Sequence, residues 1–303
     1  MSVDQGLKGK SSLPIILVHK GNQEYLKICL DYAVDHGNSV ILIGDDSNSS
    51  FEREGIAWFD HNEYSSEELR EFNRIYVHMS SNSPEYERFC FERHFLIREY
   101  VKKHDINEFY MMDSDILLGR LDMESIRKYD AALCWNEANS KISKAASPHF
   151  SYWKKSALDD FIAFTMNAYS SDIKLMKECY EQITGRGITG GVCDMTLLYL
   201  WKEKNIERVC NLCGDENIKL GVSRRLLCKQ ENSRYLVERG AIKLVNVNDD
   251  LFYIDKQTEE RIYAQVIHAQ GDAKKYIKML AKGKTDSFSK GIADIIHKCK
   301  KHF

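Results

Sequence analysis

The chain has 303 residues, 43% of them hydrophobic and 29% charged, an ordinary globular composition with length enough for a sizeable core. A formal net charge of −2 excludes any general electrostatic attraction to nucleic acid. The balance hides an asymmetry, because residues 274–303 carry nine Lys against Asp286 and Asp294, so a basic tail follows an acidic body. No segment approaches the length of a membrane span, and the opening "MSVDQGLKGKSS" contains no apolar signal core. Nine cysteines at irregular spacing fit buried thiols in a reduced, cytoplasmic protein. Cys210 and Cys213 form a lone Cys-x-x-Cys, whereas a zinc ribbon needs a second pair.

Residues 1–12 read as an N-terminal tail. "LPIILVH" (13–19) is a short β-branched apolar run, as a buried strand should be. Leu26, Cys29, Leu30 and Ala33 then recur at helical spacing, and Gly37 is placed to end that helix. "SVILIGDD" (39–46) and "IAWFD" (56–60) are further strands. This opening argues for a parallel sheet with right-handed crossovers. Residues 81–104 form a long helix, with Ser83 as N-cap and Pro84 at the first turn. "DINEFYMMDSDILL" (105–118) gives the central strand, and "DAALCW" (130–135) another. A strand and helix follow from Ala146, then a glycine-rich loop, "TGRGITGG", enters a helix. Between 205 and 265 the strand-like pieces shorten, which predicts a mixed sheet in the second half.

The stretch "FYMMDSDILL" sets Asp113 and Asp115 one residue apart inside an apolar run. An unpaired charge buried there would cost several kcal/mol. Residues two apart in extended backbone share a side, so both can address one object from a strand end. C-terminal strand ends are where open parallel sheets bind ligands. Paired hard oxygens suit Mg²⁺ or Mn²⁺ shared with a diphosphate. By the same strand-end logic His19, Lys20 and Gly21 line the crevice after the first strand.

Two enzyme classes use such a pair. Asp113-Ser114-Asp115 locally resembles the motif of haloacid-dehalogenase-type phosphatases, with Asp113 as nucleophile. The strand–helix–strand opening followed by Asp-x-Asp about a hundred residues in resembles GT-A glycosyltransferases. The distant "HAQGDAK" (268–274) matches the His-x-x-Gly-x-x-Lys pattern of retaining GT-A enzymes related to glycogenin and bacterial lipooligosaccharide galactosyltransferases. "SPHFSYW", "GGVCDMTLL" and "IHAQG" are similar to bacterial polysaccharide-locus glycosyltransferases. The residues after Lys274 are Lys275 and Tyr276 where the glycogenin-related family has Pro-Trp, so retention or inversion stays open.

The GT-A resemblance implies an α/β, Rossmann-like, mostly parallel sheet flanked by helices, with a nucleotide-binding half (13–118), an acceptor half (119–273) and a basic helical tail (274–303). It implies Asp113, Asp115 and His268 around Mn²⁺ or Mg²⁺, with Ser114, between the two acids, among the residues that bind the nucleotide sugar. Lys274 would neutralise diphosphate charge, and Gly271 would let the backbone pass close by. Asp45 and Asp46 would face the base or ribose, which points to a UDP-sugar. Arg93 could reach the diphosphate. Asp194 is a candidate general base in an inverting enzyme or, in a retaining one, a stabiliser of the oxocarbenium-like centre, and Gly190 and Gly191 would allow close approach of the backbone to a ligand. Trp135 and Trp153 are candidate sugar-stacking residues, with core packing as the alternative. Phe288, Ile292, Ile295, Ile296 and Cys299 fall at helical spacing among lysines, which reads as a peripheral membrane helix over 288–301 or as a helix docked on the body. The acceptor is expected to be a glycan or lipid-linked glycan. A non-catalytic sugar-nucleotide-binding subunit is the remaining alternative.

Overall fold

The computed structural model describes residues 13–137, 143–187, 190–229, 233–285 and 288. β1 (Ile15–Val18) is buried at every position and leads into α1 (Glu24–Asp35), which turns Leu26, Cys29, Leu30 and Ala33 inward as their spacing predicts. β2 (Val40–Gly44) and β3 (Ile56–Asp60) continue the sheet. After α2 (Glu67–Ile75) and β4 (Met79–Ser80) comes α3 (Pro84–Lys103), whose first turn is capped by Ser83 Oγ accepting from the Tyr86 N–H.

The predicted central strand is two strands. β5 (Glu108–Met112) ends at Met112, and β6 (Ile116–Leu118) resumes after a turn. β7 (Ala131–Cys134), β8 (Ser147–Lys154), α4 (Lys155–Ser170), α5 (Ile173–Thr184), β9 (Gly191–Val192), α6 (Asp194–Lys204) and β10 (Val209–Asn211) follow.

The main sheet has seven strands in the order β10–β7–β8–β5–β1–β2–β3. Only β8 runs against the others, pairing antiparallel with both β5 and β7. The remaining ladders are parallel. The C-terminal ends of β1, β2, β5, β7 and β10 therefore share one edge. Helices cover both faces. Ile16, Val18, Phe109, Met111 and Trp153 pack toward α3, α4 and α6, and Ile15, Leu17, Tyr110 and Met112 pack toward α1.

The second half departs from the parallel pattern, as its weaker alternation predicts, and adds small antiparallel sheets. β11 (Val237–Glu238) pairs antiparallel with β12 (Ala241–Ile242). β13 (Leu244–Val247), β14 (Asp250–Ile254) and β15 (Arg261–Tyr263) form a three-stranded antiparallel sheet. β16 (Val266–His268) pairs antiparallel with β6. α7 (Ile277–Leu280) buries Ile277 and Leu280 completely in the cluster that also holds Cys29 and Ile267, so the packed body runs past residue 273. Of the tail's apolar stripe, Phe288 is 1% exposed and meets Tyr276 edge-on. Ile292, Ile295, Ile296 and Cys299 lie outside the described residues. No helix among the described residues is long and apolar enough to cross a membrane.

Candidate metal centre

The site begins where β5 stops. The Met112 backbone is paired with Leu17 on one side and Phe150 on the other, and the Asp113 N–H donates to the His149 carbonyl at 2.7 Å. The chain then turns at Ser114 and Asp115 and leaves the sheet. Asp113 and Asp115 converge across this turn, not along a continuous extended strand. β6 takes β16 as its partner with Ile116 opposite His268, and the Ala269 N–H donates to the Asp115 carbonyl at 3.0 Å. That register brings together two motifs more than 150 positions apart in the sequence.

Asp113, Asp115 and His268 each offer one ligand atom within 4.8 Å of the others. His268 Nδ1 donates to the Arg224 carbonyl at 2.6 Å, which fixes the tautomer and turns Nε2 toward the carboxylates. Nε2 lies 3.4 Å from Asp115 Oδ1, and that oxygen is buried with no hydrogen-bond partner. An orphaned, buried carboxylate oxygen facing an imidazole nitrogen is the donor arrangement a divalent cation completes. Two carboxylates and one imidazole fit Mn²⁺, and the oxygens alone fit Mg²⁺. Lys274 Nζ reaches Asp115 Oδ2 at 3.2 Å and also stands 4.8 Å over the Tyr25 ring. Burial resists ionisation of Asp115, but His268 when protonated, and then Lys274, outweigh it and hold the carboxyl well below the usual carboxylate range.

Behind the centre, His149 stacks on His268 with ring centroids 4.1 Å apart. Its Nε2 donates to the Ser223 carbonyl at 3.1 Å, and its Nδ1 accepts from Ser147 Oγ. Burial, followed by the neighbouring His268, keeps this imidazole neutral well below the ordinary histidine range. His149 lies within "SPHFSYW", but only its strand register opposite the β5 end marks it as part of the site. Arg224 left no sequence signal, since its main-chain oxygen holds His268.

The other expected residues divide. His19, Gly21 and Asp45 come together at the ends of β1 and β2. Asp45 Oδ2 accepts from the Gly21 N–H at 3.0 Å, and Gly21 takes the positive φ of +97° that favours glycine. The fully buried Asn48 ties this crevice by donating to the His19 and Gly21 carbonyls while accepting from the Trp58 indole N–H. Burial is the main cause that lowers the His19 pKa. Lys20 is 3.8 Å from Glu92 and lies over Phe89. Asp46 is exposed at the start of a 3-10 turn, away from that network. Ser114 occupies the turn between the acids. Gly271 has φ +61° with open space where a Cβ would stand, so its backbone conformation accounts for glycine there.

Four expectations need correction. Arg93 is not free to meet a diphosphate, because one guanidinium nitrogen pairs with Asp113 at 2.5 Å and the other with Asp194 at 2.7 Å. Asp194 is 3% exposed at the start of α6, with His94 Nε2 3.5 Å away. Burial resists its ionisation, but Arg93 and His94 more than offset this and lower its pKa, the wrong direction for a general base. Gly191 is required by the fold, since a Cβ there would stand 2.1 Å from the Met79 carbonyl across the β4–β9 pair. Gly190, at φ +115°, has open space beside it and donates to Ser81 Oγ. Trp153 is wholly buried and stacks on Trp201, so it offers no face to a sugar, and Trp135 is 3% exposed with the Lys202 ammonium 4.6 Å over its ring, so it reaches a cavity wall without an open ring face.

No protein-family model and no curated protein sequence matches the chain. Among solved structures, the apo form of mouse xyloside xylosyltransferase 1 superimposes with a TM-score of 0.42 at 8% identity, over 66% of this chain and 84% of that one. The apo bifunctional glycosyltransferase WbbM gives a TM-score of 0.35 at 10% identity, over 68% of this chain and 40% of WbbM.

Proposed function

We propose that this chain is a metal-dependent glycosyltransferase that moves a sugar from a nucleotide diphosphate donor, a UDP-sugar by expectation, to a hydroxyl of a glycan or glycolipid in surface polysaccharide assembly. The observation that carries the reading is the orphaned Asp115 oxygen facing His268 Nε2, with Lys274 beside it, at the strand edge that also carries the His19–Asp45 crevice. Asp113, Asp115 and His268 would hold Mn²⁺ or Mg²⁺. When bound, the cation would neutralise charge on the departing diphosphate.

The chain's own residues supply the rest. Lys274 sets an ammonium where diphosphate charge develops, and its present contact with Asp115 keeps it aimed at the centre. Gly21 and Asp45 form a polar rim suited to the nucleoside. Arg93 and Asp194 act as positioning residues, fixing the Asp113 carboxylate by a partly buried ion-pair chain. The same contact disfavours the phosphatase reading, because a carboxylate held by a guanidinium is a poor nucleophile.

The test is donor turnover. The full chain would be incubated with UDP-, GDP- and ADP-sugars, Mn²⁺ and mixed glycan acceptors, and nucleoside diphosphate release measured. One nucleotide class should be released, with loss of release in Asp113→Asn. Nucleotide binding without turnover of any donor would instead favour a non-catalytic subunit.

A further inference from the structure

A second feature lies on the same sheet edge, beyond the metal centre. After β7 and β10 the chain opens into a cavity of about 820 Å³, walled by Trp135, Asn211 and the segment from Val222 to Lys229. Five cationic side chains line it against two carboxylates, Glu137 and Glu216. Glu137 is already engaged by the Trp135 indole and by Asn211. Arg234 lies 3.8 Å from Asp255, and Lys256 donates to the Ser233 carbonyl. Arg224 and Arg225 differ. Among the described residues neither has a carboxylate partner, nor has Lys229, and the two arginines are consecutive on the wall. Arg224 is half-buried and Arg225 is exposed.

Two neighbouring cations at a cavity wall, one of them half-buried, gain from an anion that pairs with both. A fork of two guanidiniums suits an oxyanion, which each can bind through paired N–H groups. Position gives the anion its place. The main chain of Arg224 holds His268 at the metal centre, while its side chain faces the cavity. The nucleotide crevice lies at β1 and β2, on the opposite side of β5 from β7 and β10.

We propose that the cavity is an acceptor subsite and that Arg224 and Arg225 bind a phosphate or carboxylate group carried by the acceptor glycan. Its assignment to the acceptor rests on the transferase reading above; binding of the anion does not.

The test uses the full chain without divalent cation or nucleotide, with inorganic phosphate and glucuronate as probes. Phosphate at ten times its dissociation constant should raise the melting temperature by roughly 2 °C for a chain this size. The shift should persist in Lys274→Gln, which alters the metal centre, and vanish in Arg224→Gln/Arg225→Gln. A glucuronate shift with the same dependence widens the site to any oxyanion. Arg225→Gln alone, at an exposed position, should weaken phosphate binding several-fold and guards against a folding artefact in the double variant. A shift that survives the double variant, or is lost only in Lys274→Gln, overturns the site. UDP with Mn²⁺ is measured on the same proteins. If it shifts none of them, the acceptor assignment falls while the phosphate result still decides the anion site.

Discussion

Asp115→Asn separates a metal ligand from a structural carboxylate. The side chain is 8% exposed, 3.4 Å from His268 Nε2 and 3.2 Å from Lys274 Nζ. Two unit charges about 4 Å apart attract by roughly 4 kcal/mol at an effective dielectric near 20. Lys274 is 38% exposed, however, and solvent screening brings such a pair toward the ~0–1 kcal/mol of surface contacts. The substitution also removes a buried charge whose hydration was lost. Metal-free stability should therefore change by no more than about 1 kcal/mol, a melting shift of roughly 2 °C. Metal binding should suffer far more, since removing a buried charged partner costs about 2–5 kcal/mol, or about thirty-fold to several thousand-fold in affinity. Calorimetric titration of Mn²⁺ into both proteins reads the affinity, and thermal melts without metal read the stability. Unchanged Mn²⁺ affinity would refute the ligand assignment. A large drop in metal-free melting temperature would show that Asp115 is structural.

The Asp194 carboxyl, depressed below its ordinary 3.8 by Arg93 and His94 against the effect of burial, adds stability that is complete above that pH and fades as pH falls through the lower folded value. Asp194→Asn should thus cost about 3–5 kcal/mol at neutral pH, with the cost shrinking in acid. Urea unfolding at pH 7 and pH 3 checks this, and a cost that grows on acidification would contradict it. Gly191→Ala forces a Cβ against the Met79 carbonyl at a φ of +155° and should lower stability by about 1–3 kcal/mol, read as a fall of roughly 2–5 °C in melting temperature. Asn48→Ala leaves the His19 and Gly21 carbonyls and the Trp58 N–H without their partner, at about 1–3 kcal/mol. It should weaken nucleotide binding while sparing Mn²⁺ binding, a split that calorimetry resolves.

Local periodicity made much of the fold legible. Leu26, Cys29, Leu30 and Ala33 face the core, Ser83 and Pro84 start the long helix, and the short β-branched runs are strands. The run 109–118 concealed the break at Asp113, because β5 and β6 are equally apolar and only their different partners divide them. Asp113, Asp115 and His268 stood out as residue types in a pattern, yet their convergence depends on a ladder between segments some 150 residues apart that no local rule encodes. The contacts of Arg93, Asp194 and Gly191 differ from expectation for a related reason. A charge or a glycine looks alike in the sequence whether its partner is a ligand or another part of the chain. Trp153 shows the same ambiguity for aromatics, since burial under Trp201 is decided by helix packing from α6.

Cooperative binding of a divalent cation and a nucleoside diphosphate at Asp113, Asp115 and His268 is tested most directly by a melting-temperature screen of UDP, GDP, ADP and CDP, each with and without Mn²⁺. One nucleotide should raise the melting temperature only when Mn²⁺ is present, and Asp115→Asn should abolish that shift. An equal shift without Mn²⁺, or none with any nucleotide, would contradict the metal-bridged donor site.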